Sequence, residues 1–226
     1  MTTPPAVEFV EFAWVWNHFQ AQATPAVHRR IARWLGARRA AGNRRLLLTA
    51  FRGCGKSTLV GLFCAWWLLR DPAARILVLA GDQTLAVKMV ATVRRILERH
   101  PLCAALLPAE PGSWAMDRFT VAREAVLRDP SMLAAGLSGN ITGSRAELII
   151  CDDVEVPNTC DTPSKREELR ERLRETEFVL TPGGSILYIG TPHCADSLYR
   201  PVEEGGDGFL AGYHRLTVPL LDAEGR

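Results

Sequence analysis

The sequence predicts an α/β fold with a central, mainly parallel sheet flanked by helices. Short apolar runs typical of buried strands alternate along the chain with longer segments of helical periodicity. A glycine-rich loop joins one of these strands directly to a helix, and a later strand ends in two adjacent carboxylates. Because parallel strands are joined by helical crossovers, this alternation favours a sheet that is covered on both faces.

Two helices are predicted before the first strand. Residues 7–20 place apolar side chains at mixed helical spacing. Thr24 is expected to cap a second helix over residues 26–38. We therefore predict N-terminal helices, within residues 1–43, that pack on a core spanning residues 44–226, with one domain overall.

The core is predicted to alternate strands and helices to its end. Strands are expected at residues 46–50, 75–80, 132–137, 148–153, 185–190 and within 209–218, with an edge hairpin at 119–121 and 125–127. Helices are expected at residues 59–69, 83–99 and 162–177, with a short helix near 102–107.

The loop after the first strand has the pattern of a phosphate-binding loop. It reads Ala50-Phe51-Arg52-Gly53-Cys54-Gly55-Lys56-Ser57-Thr58. Gly53 and Gly55 allow the backbone to wrap close to phosphate oxygens, which the loop N–H groups and the helix N-terminus attract. Lys56 would reach the β- and γ-phosphates of a nucleotide, and the Ser57 hydroxyl would ligate Mg²⁺. The usual pattern opens with glycine instead of Ala50, and a glycine-rich turn that binds nothing is the alternative.

The carboxylates at the end of the 148–153 strand supply the second half of a hydrolytic site. Asp152 would hold Mg²⁺ through water, across from Ser57. A second carboxylate would position and polarise the attacking water. Asp153 is favoured for this role although it is one methylene shorter than the usual glutamate, and Glu155 is the alternative. The alternative is that these acidic residues only cap backbone N–H groups at the end of the strand and have no catalytic role. Together with the phosphate loop, this strand predicts a P-loop NTPase of the ASCE type that hydrolyses a nucleotide with the help of Mg²⁺.

Gly190-Thr191-Pro192 follow the strand that we expect beside the Asp152 strand. A threonine hydroxyl there would bond the γ-phosphate or the attacking water and report its loss. A β-turn after a strand explains these residues equally well.

Composition sets broad limits on function. Lys+Arg 27 against Asp+Glu 25 gives a net charge of +2, so bulk charge does not indicate nucleic acid. The basic residues are mostly arginine, which suits phosphate but is equally explained by coding bias. The 6 cysteines form no CxxC pair, which favours a reduced, cytosolic setting. Neither a membrane span nor a secretory signal is predicted.

Four motifs resemble those of viral terminase large subunits, most closely the DNA-packaging ATPases of short-tailed phages. The similarity spans roughly residues 24–219 and rests on the runs at 50–57 (AFRGCGKS), 142–146 (TGSRA), 152–157 (DDVEVP) and 188–192 (YIGTP).

The resemblance implies a motor that hydrolyses ATP to move double-stranded DNA into a procapsid. It implies partners, namely the portal and the small terminase subunit, and a homo-oligomeric ring on the procapsid, with a monomer in isolation as the alternative. It also implies action in the cytoplasm of an infected bacterial host. The family carries a C-terminal nuclease domain, which we expect to be absent because the sequence stops at Arg226. The chain would then be an excised domain or a naturally short protein without nuclease activity.

The resemblance also implies roles for particular residues. Arg52 is expected to sense phosphate within the loop, and Gly190–Pro192 to couple hydrolysis to DNA movement. An arginine near the Arg145 loop is expected to act on a neighbouring subunit's ATP, with Arg52 as the competing candidate within its own subunit. His28 stands where the family places a glutamine that reads adenine.

Three other functions remain open at this level. A helicase-like DNA-dependent ATPase would normally carry further arginine motifs in a second domain. A small-molecule kinase would need an acceptor pocket and a lid. A nucleotide-binding structural protein without turnover would be consistent with Ala50 and with Asp153 in place of glutamate. Phosphate release from ATP, with and without duplex DNA, separates these functions.

Overall fold

The computed structural model describes residues 7–108, 114–139, 141, 143–193 and 196–220. Parts of several sequence predictions lie outside these described residues, namely those that involve Thr142 of the TGSRA run, the first six residues and the last six residues.

Seven helices are found in the described part of the chain. They are α1 (Phe9–Phe19), α2 (Ala26–Ala40), α3 (Lys56–Arg70), α4 (Gln83–Arg99), α5 (Pro157–Cys160), α6 (Pro163–Arg174) and α7 (Thr176–Val179). Among the described residues, no helix is both long enough and apolar enough to cross a membrane.

In the described ranges, seven strands form one sheet. They are β1 (Arg45–Ala50), β2 (Ile76–Ala80), β3 (Arg118–Phe119), β4 (Met132–Gly136), β5 (Ala146–Asp152), β6 (Leu180–Gly190) and β7 (His214–Val218).

The strand order is β3-β4-β2-β5-β6-β1-β7, and every pair except β3–β4 is parallel. The predicted α/β fold with a mainly parallel sheet is therefore confirmed. Strand β6 lies between β1, which leads into the glycine loop, and β5, which ends in Asp152. Because all three strands run in the same direction, their carboxyl ends meet at one edge of the sheet.

Each face of the sheet carries its own hydrophobic core. Neighbouring side chains of a strand point to opposite faces, so Leu46 and Leu48 join one cluster and Leu47 joins the other. The first cluster contains side chains from α1, α2, α3 and α4, and the second contains side chains from α6 and α7. Five buried cysteines among the described residues are free thiols and serve as small core residues.

The N-terminal helices pack on the first of these cores. Phe9 and Phe12 of α1 are fully buried, and Phe9 contacts the ring of Phe63 on α3 with centroids 5.1 Å apart. The indole N–H of Trp66 donates to the carbonyl of Val7 at 2.9 Å. The boundary at residue 43 remains a prediction, but the packing agrees with helices laid against a single core.

Two local predictions were wrong. The residue that caps α2 is Pro25, and the Thr24 hydroxyl instead accepts a bond from the Asn17 amide at 3.1 Å. The hairpin at 119–121 and 125–127 does not form, because Phe119 pairs with Met132 of β4. The segment between β3 and β4 is held in part by side-chain hydrogen bonds. For example, the Val121 N–H donates to the Ser131 hydroxyl at 3.2 Å.

Two other elements have different limits from those predicted. The expected helix over 162–177 breaks at Glu175 into α6 and α7, and the Thr176 hydroxyl bonds the Leu173 carbonyl at 2.7 Å across the break. Strand β6 starts five residues earlier than the predicted strand. A register shift opposite the start of β5 accommodates this extension, with Gly183 in the left-handed region at φ 84.

Candidate nucleotide site

The glycine loop curls tightly between β1 and the first turn of α3. Gly53 and Gly55 adopt φ values of 82° and 79°, a region that favours glycine. Gly55 precedes the first residue of α3, Lys56, so the free N–H groups of the helix face the space enclosed by the loop. The Phe51 N–H donates to Val218 of β7 at 3.2 Å, which ties the loop to the sheet. The loop therefore has a backbone conformation suited to a phosphate cradle, and phosphate binding there remains a prediction.

His28 packs directly against the loop. Its Nε2 donates to the carbonyl oxygen of Cys54 at 2.7 Å. A Cβ placed on Gly55 would lie 2.8 Å from the same nitrogen, so only glycine fits there without a shift. The structure therefore places His28 beside the loop, and its proposed role in reading the base remains a prediction.

Thr191 lies on the loop although it is distant in sequence. Its hydroxyl donates to the carbonyl of Ala50 at 2.9 Å and accepts from the Lys56 ammonium at 3.3 Å. The parallel register, with Thr49 opposite Gly190, brings the two strand ends together. Lys56 is buried, with 7% of its surface exposed.

Arg52 contacts a residue that the sequence analysis did not identify. Its guanidinium Nη2 lies 3.1 Å from Nε2 of His193. His193 is the second residue after Thr191. In the sequence, this closeness to a predicted site residue was the only indication that His193 lies near the loop.

The two carboxylates at the end of β5 share a cavity with the loop. A cavity of about 230 Å³ is lined by Ser57, Thr58, Asp152 and Asp153, together with residues of α4. Asp152 is buried, and its Oδ1 has no hydrogen-bond partner among the residues that the structure describes. Burial and the charge of Asp153 raise the pKa of Asp152 to about 7, while Lys56 opposes the shift.

These groups fit a magnesium ion. A serine hydroxyl and carboxylates are hard oxygen donors, which Mg²⁺ prefers. The unpartnered Oδ1 of Asp152 is a buried polar atom that a hydrated cation would satisfy. In the described ranges, no cluster of three or more His, Cys, Asp or Glu side chains is placed to hold a metal by itself. Ser57 and Asp152 would therefore hold the ion jointly with the phosphates of a bound nucleotide.

Asp153 and Glu155 have different environments. Asp153 borders the cavity in a left-handed conformation at φ 43, with its N–H donating to Ile189 of β6 at 2.9 Å. Glu155 is buried, and its two oxygens accept bonds of 2.6 Å from the Ser197 hydroxyl and from the Leu198 N–H. A water-activating role therefore suits Asp153 better than Glu155, whose oxygens are already engaged.

Arg145 does not lie near its own subunit's loop. It precedes the first residue of β5, whereas Asp152 is the last residue, so the two are separated by about 20 Å. Its exposed guanidinium donates to the carbonyl of Phe178 at 3.4 Å. Glu147, two residues along the chain from Arg145, forms its ion pair with Arg75 at 2.6 Å.

The fold and this arrangement of loop and carboxylates define a P-loop NTPase core. Fold comparison agrees: a structure of a Dbp5 variant from S. cerevisiae, bound to Nup159, a Gle1 variant, IP6 and ADP, matches with a TM-score of 0.57. The match covers 95% of this chain and 52% of that chain at 13% identity, so it supports the fold alone.

The sequence relationship is more specific. The chain is 32% identical over 181 residues to "Terminase, large subunit" of Enterobacteria phage T3, covering 79% of this chain. It spans 30% of the length of that relative. No protein-family model matches the chain. The predicted resemblance is thus confirmed: over 79% of its length the chain is similar to a phage terminase large subunit.

Proposed function

We propose that this chain is the ATPase core of a DNA-packaging motor of the terminase type. The observation that carries the proposal is the meeting of the Gly53–Ser57 loop with the buried Asp152 at one sheet edge, in a relative of a terminase large subunit. The cofactors would be ATP and Mg²⁺.

Each residue of the site would have a separate role in hydrolysis. The N–H groups of the loop bind the phosphates, and Lys56 exchanges the Thr191 hydroxyl for a phosphate oxygen. A Mg²⁺ ion held by Ser57 and Asp152 would neutralise charge on the transferring phosphoryl group. Asp153, at the rim of the same cavity, orients the attacking water and accepts its proton.

The remaining parts of the proposal rest on the terminase relationship. Double-stranded DNA would be the transported substrate, and the portal and the small terminase subunit would be partners. The motor would act as a homo-oligomeric ring in the cytoplasm of the infected host. Arg145 lies at the opposite end of β5 from Asp152, so in such a ring it would act on the phosphate of a neighbouring subunit. Arg52, within the loop, would act as the phosphate sensor of its own subunit.

Phosphate release from ATP in Mg²⁺, with and without duplex DNA, tests the proposal. We expect hydrolysis that duplex DNA stimulates and no separation of the two strands. Binding of ATP without phosphate release would indicate a structural protein, and strand separation would indicate a helicase-like enzyme.

The Asp153→Asn variant assigns the water-activating group. Asparagine tolerates the left-handed backbone of this position, so the fold should be kept. We expect kcat to fall by about 10²–10⁴ with unchanged ATP affinity, which is the usual effect of removing a general base. Unchanged kcat would exclude Asp153 from this role.

A further inference from the structure

Glu155 makes two short hydrogen bonds that play no part in the hydrolytic mechanism proposed above. With 1% of its surface exposed, it accepts 2.6 Å bonds from the Ser197 hydroxyl and the Leu198 N–H. Its partners therefore lie in a segment that follows β6, while Glu155 itself follows β5. A buried carboxylate is stable only when it is bonded in this way, so the contact fixes the two segments to each other.

The segment held by Glu155 lies against the end of β6. The Tyr199 N–H donates to the Ser197 hydroxyl at 3.2 Å, and the Tyr199 side chain is buried with 1% of its surface exposed. A Cβ on Gly190 would lie 2.5 Å from the phenol end of Tyr199. The ring of Tyr199 is thus packed directly on the backbone of the last β6 residue.

The end of β6 in turn sets the position of Thr191. Gly190 is the residue before Thr191, whose hydroxyl bonds both the Lys56 ammonium and the Ala50 carbonyl. Contacts therefore run without interruption from Glu155 through Ser197 and Tyr199 to the strand end that presents Thr191 to the phosphate loop.

We propose that Glu155 is a positioning residue, which acts through Ser197 and Tyr199 to hold Thr191 against Lys56. The inference rests on the proposed ATPase function and assigns Glu155 a role other than activation of water. The role depends on the hydrogen bonds of the side chain and not on its charge, because the group contacts neither the loop nor the cavity.

Two substitutions of Glu155 separate positioning from acid–base chemistry. Glu155→Gln keeps an oxygen that accepts the Leu198 N–H and an amide that donates to the Ser197 oxygen, so we expect kcat within about tenfold of wild type. Glu155→Ala leaves both partners unbonded, and we expect kcat to fall by about a hundredfold or more with ATP affinity within about threefold. A Gln variant as inactive as the Ala variant would overturn the proposal.

A matched pair of variants separates positioning from general stability. Ser197→Ala and Thr176→Val each remove one buried hydroxyl that donates a short bond, at 2.6 Å and 2.7 Å, but Thr176 is the first residue of α7 and bonds the end of α6. We expect both to lower the melting temperature and only Ser197→Ala to lower kcat, by about tenfold. Ser197→Thr, which restores the hydroxyl, should recover most of the rate. Equal rates in the matched pair would contradict the proposal.

Amide hydrogen exchange of the nucleotide-free chain gives a readout that needs no activity. Glu155→Ala and Ser197→Ala should accelerate exchange in the end of β6 by about tenfold or more, whereas Thr176→Val should not. Unchanged exchange there would overturn the positioning role even if the chain hydrolyses ATP normally. Absence of phosphate release in the wild type would instead count against the proposed function.

Discussion

Gly55 is constrained both by its backbone and by its neighbour. Its φ of 79° disfavours any other residue, and a Cβ would also lie 2.8 Å from His28 Nε2. We expect Gly55→Ala to weaken ATP binding at least tenfold, because His28 or the loop must move. Titration with a fluorescent ATP analogue, together with thermal unfolding, measures the effect.

Gly42→Ala is the matched control. Gly42 has a similar φ of 70°, but no atom of the described residues would lie within 4 Å of a Cβ added there. Both variants should therefore lose about 1–2 kcal/mol of stability from backbone strain, and only Gly55→Ala should lose ATP affinity. Equal ATP affinity in the two variants would show that the His28 contact is unimportant.

At the scale of residues, the sequence predicts the groups that face the phosphates better than the groups that support them. Lys56, Ser57 and Asp152 follow from short motifs whose spacing is local. The contact of His193 with Arg52 and the bonds of Glu155 to Ser197 depend on how distant segments meet in space, for which spacing along the chain gives no signal.

At the scale of elements, His100 connects α1 to the C-terminal end of α4. It is buried, stacks on Phe12 with centroids 3.7 Å apart, and donates from Nε2 to the Phe12 carbonyl at 3.1 Å. Its Nδ1 accepts the Leu102 N–H at 3.2 Å, so the ring is neutral. Burial lowers the pKa of His100, against the opposing effect of the bond to Phe12.

This environment makes folding depend on pH. Because the folded pKa is below the usual value of 6.5, the stabilisation is complete above pH 6.5 and is lost as the pH falls through the lowered pKa. We expect the free energy of unfolding in urea to fall from pH 7 to pH 5 more steeply for wild type than for His100→Gln. The glutamine keeps a donor for Phe12 and does not titrate. Parallel pH profiles would refute this account.

The sequence predicts long elements well and irregular ones poorly. The helix over 83–99 has the observed limits of α4, because Asp82 caps it through the Leu85 N–H and its apolar period is regular. The prediction of a hairpin near Phe119 was wrong because a short edge strand can pair with more than one neighbouring segment. Phe119 pairs with β4, which is a buried and apolar strand. Such choices are decided by tertiary packing rather than by local propensity.

At the scale of the whole molecule, the position of Arg145 makes a prediction about assembly. An arginine that reaches a neighbour's γ-phosphate contributes orders of magnitude in rate, whereas an exposed ion pair contributes about 0–1 kcal/mol to stability. We expect Arg145→Ala to bind ATP normally and to hydrolyse it slowly, and we expect wild-type activity per subunit to rise with protein concentration.

Mixing two inactive variants tests whether Arg145 acts between subunits. Lys56→Ala retains Arg145, and Arg145→Ala retains an intact loop, so mixed assemblies should recover part of the activity. Demonstrated co-assembly without recovery would exclude the intersubunit role and favour Arg52 as the arginine that acts on phosphate within its own subunit.

The central claim is that the loop and the β5 carboxylate form one magnesium-dependent hydrolytic site. Steady-state phosphate release from ATP in Mg²⁺ by wild type, Lys56→Ala and Asp152→Asn tests it most directly. Each substitution removes a charge that would stabilise the transferring phosphoryl group, an effect worth several kcal/mol. We expect active wild type and a loss of about 10³-fold or more in both folded variants. Phosphate release at the wild-type rate by either variant would contradict the account.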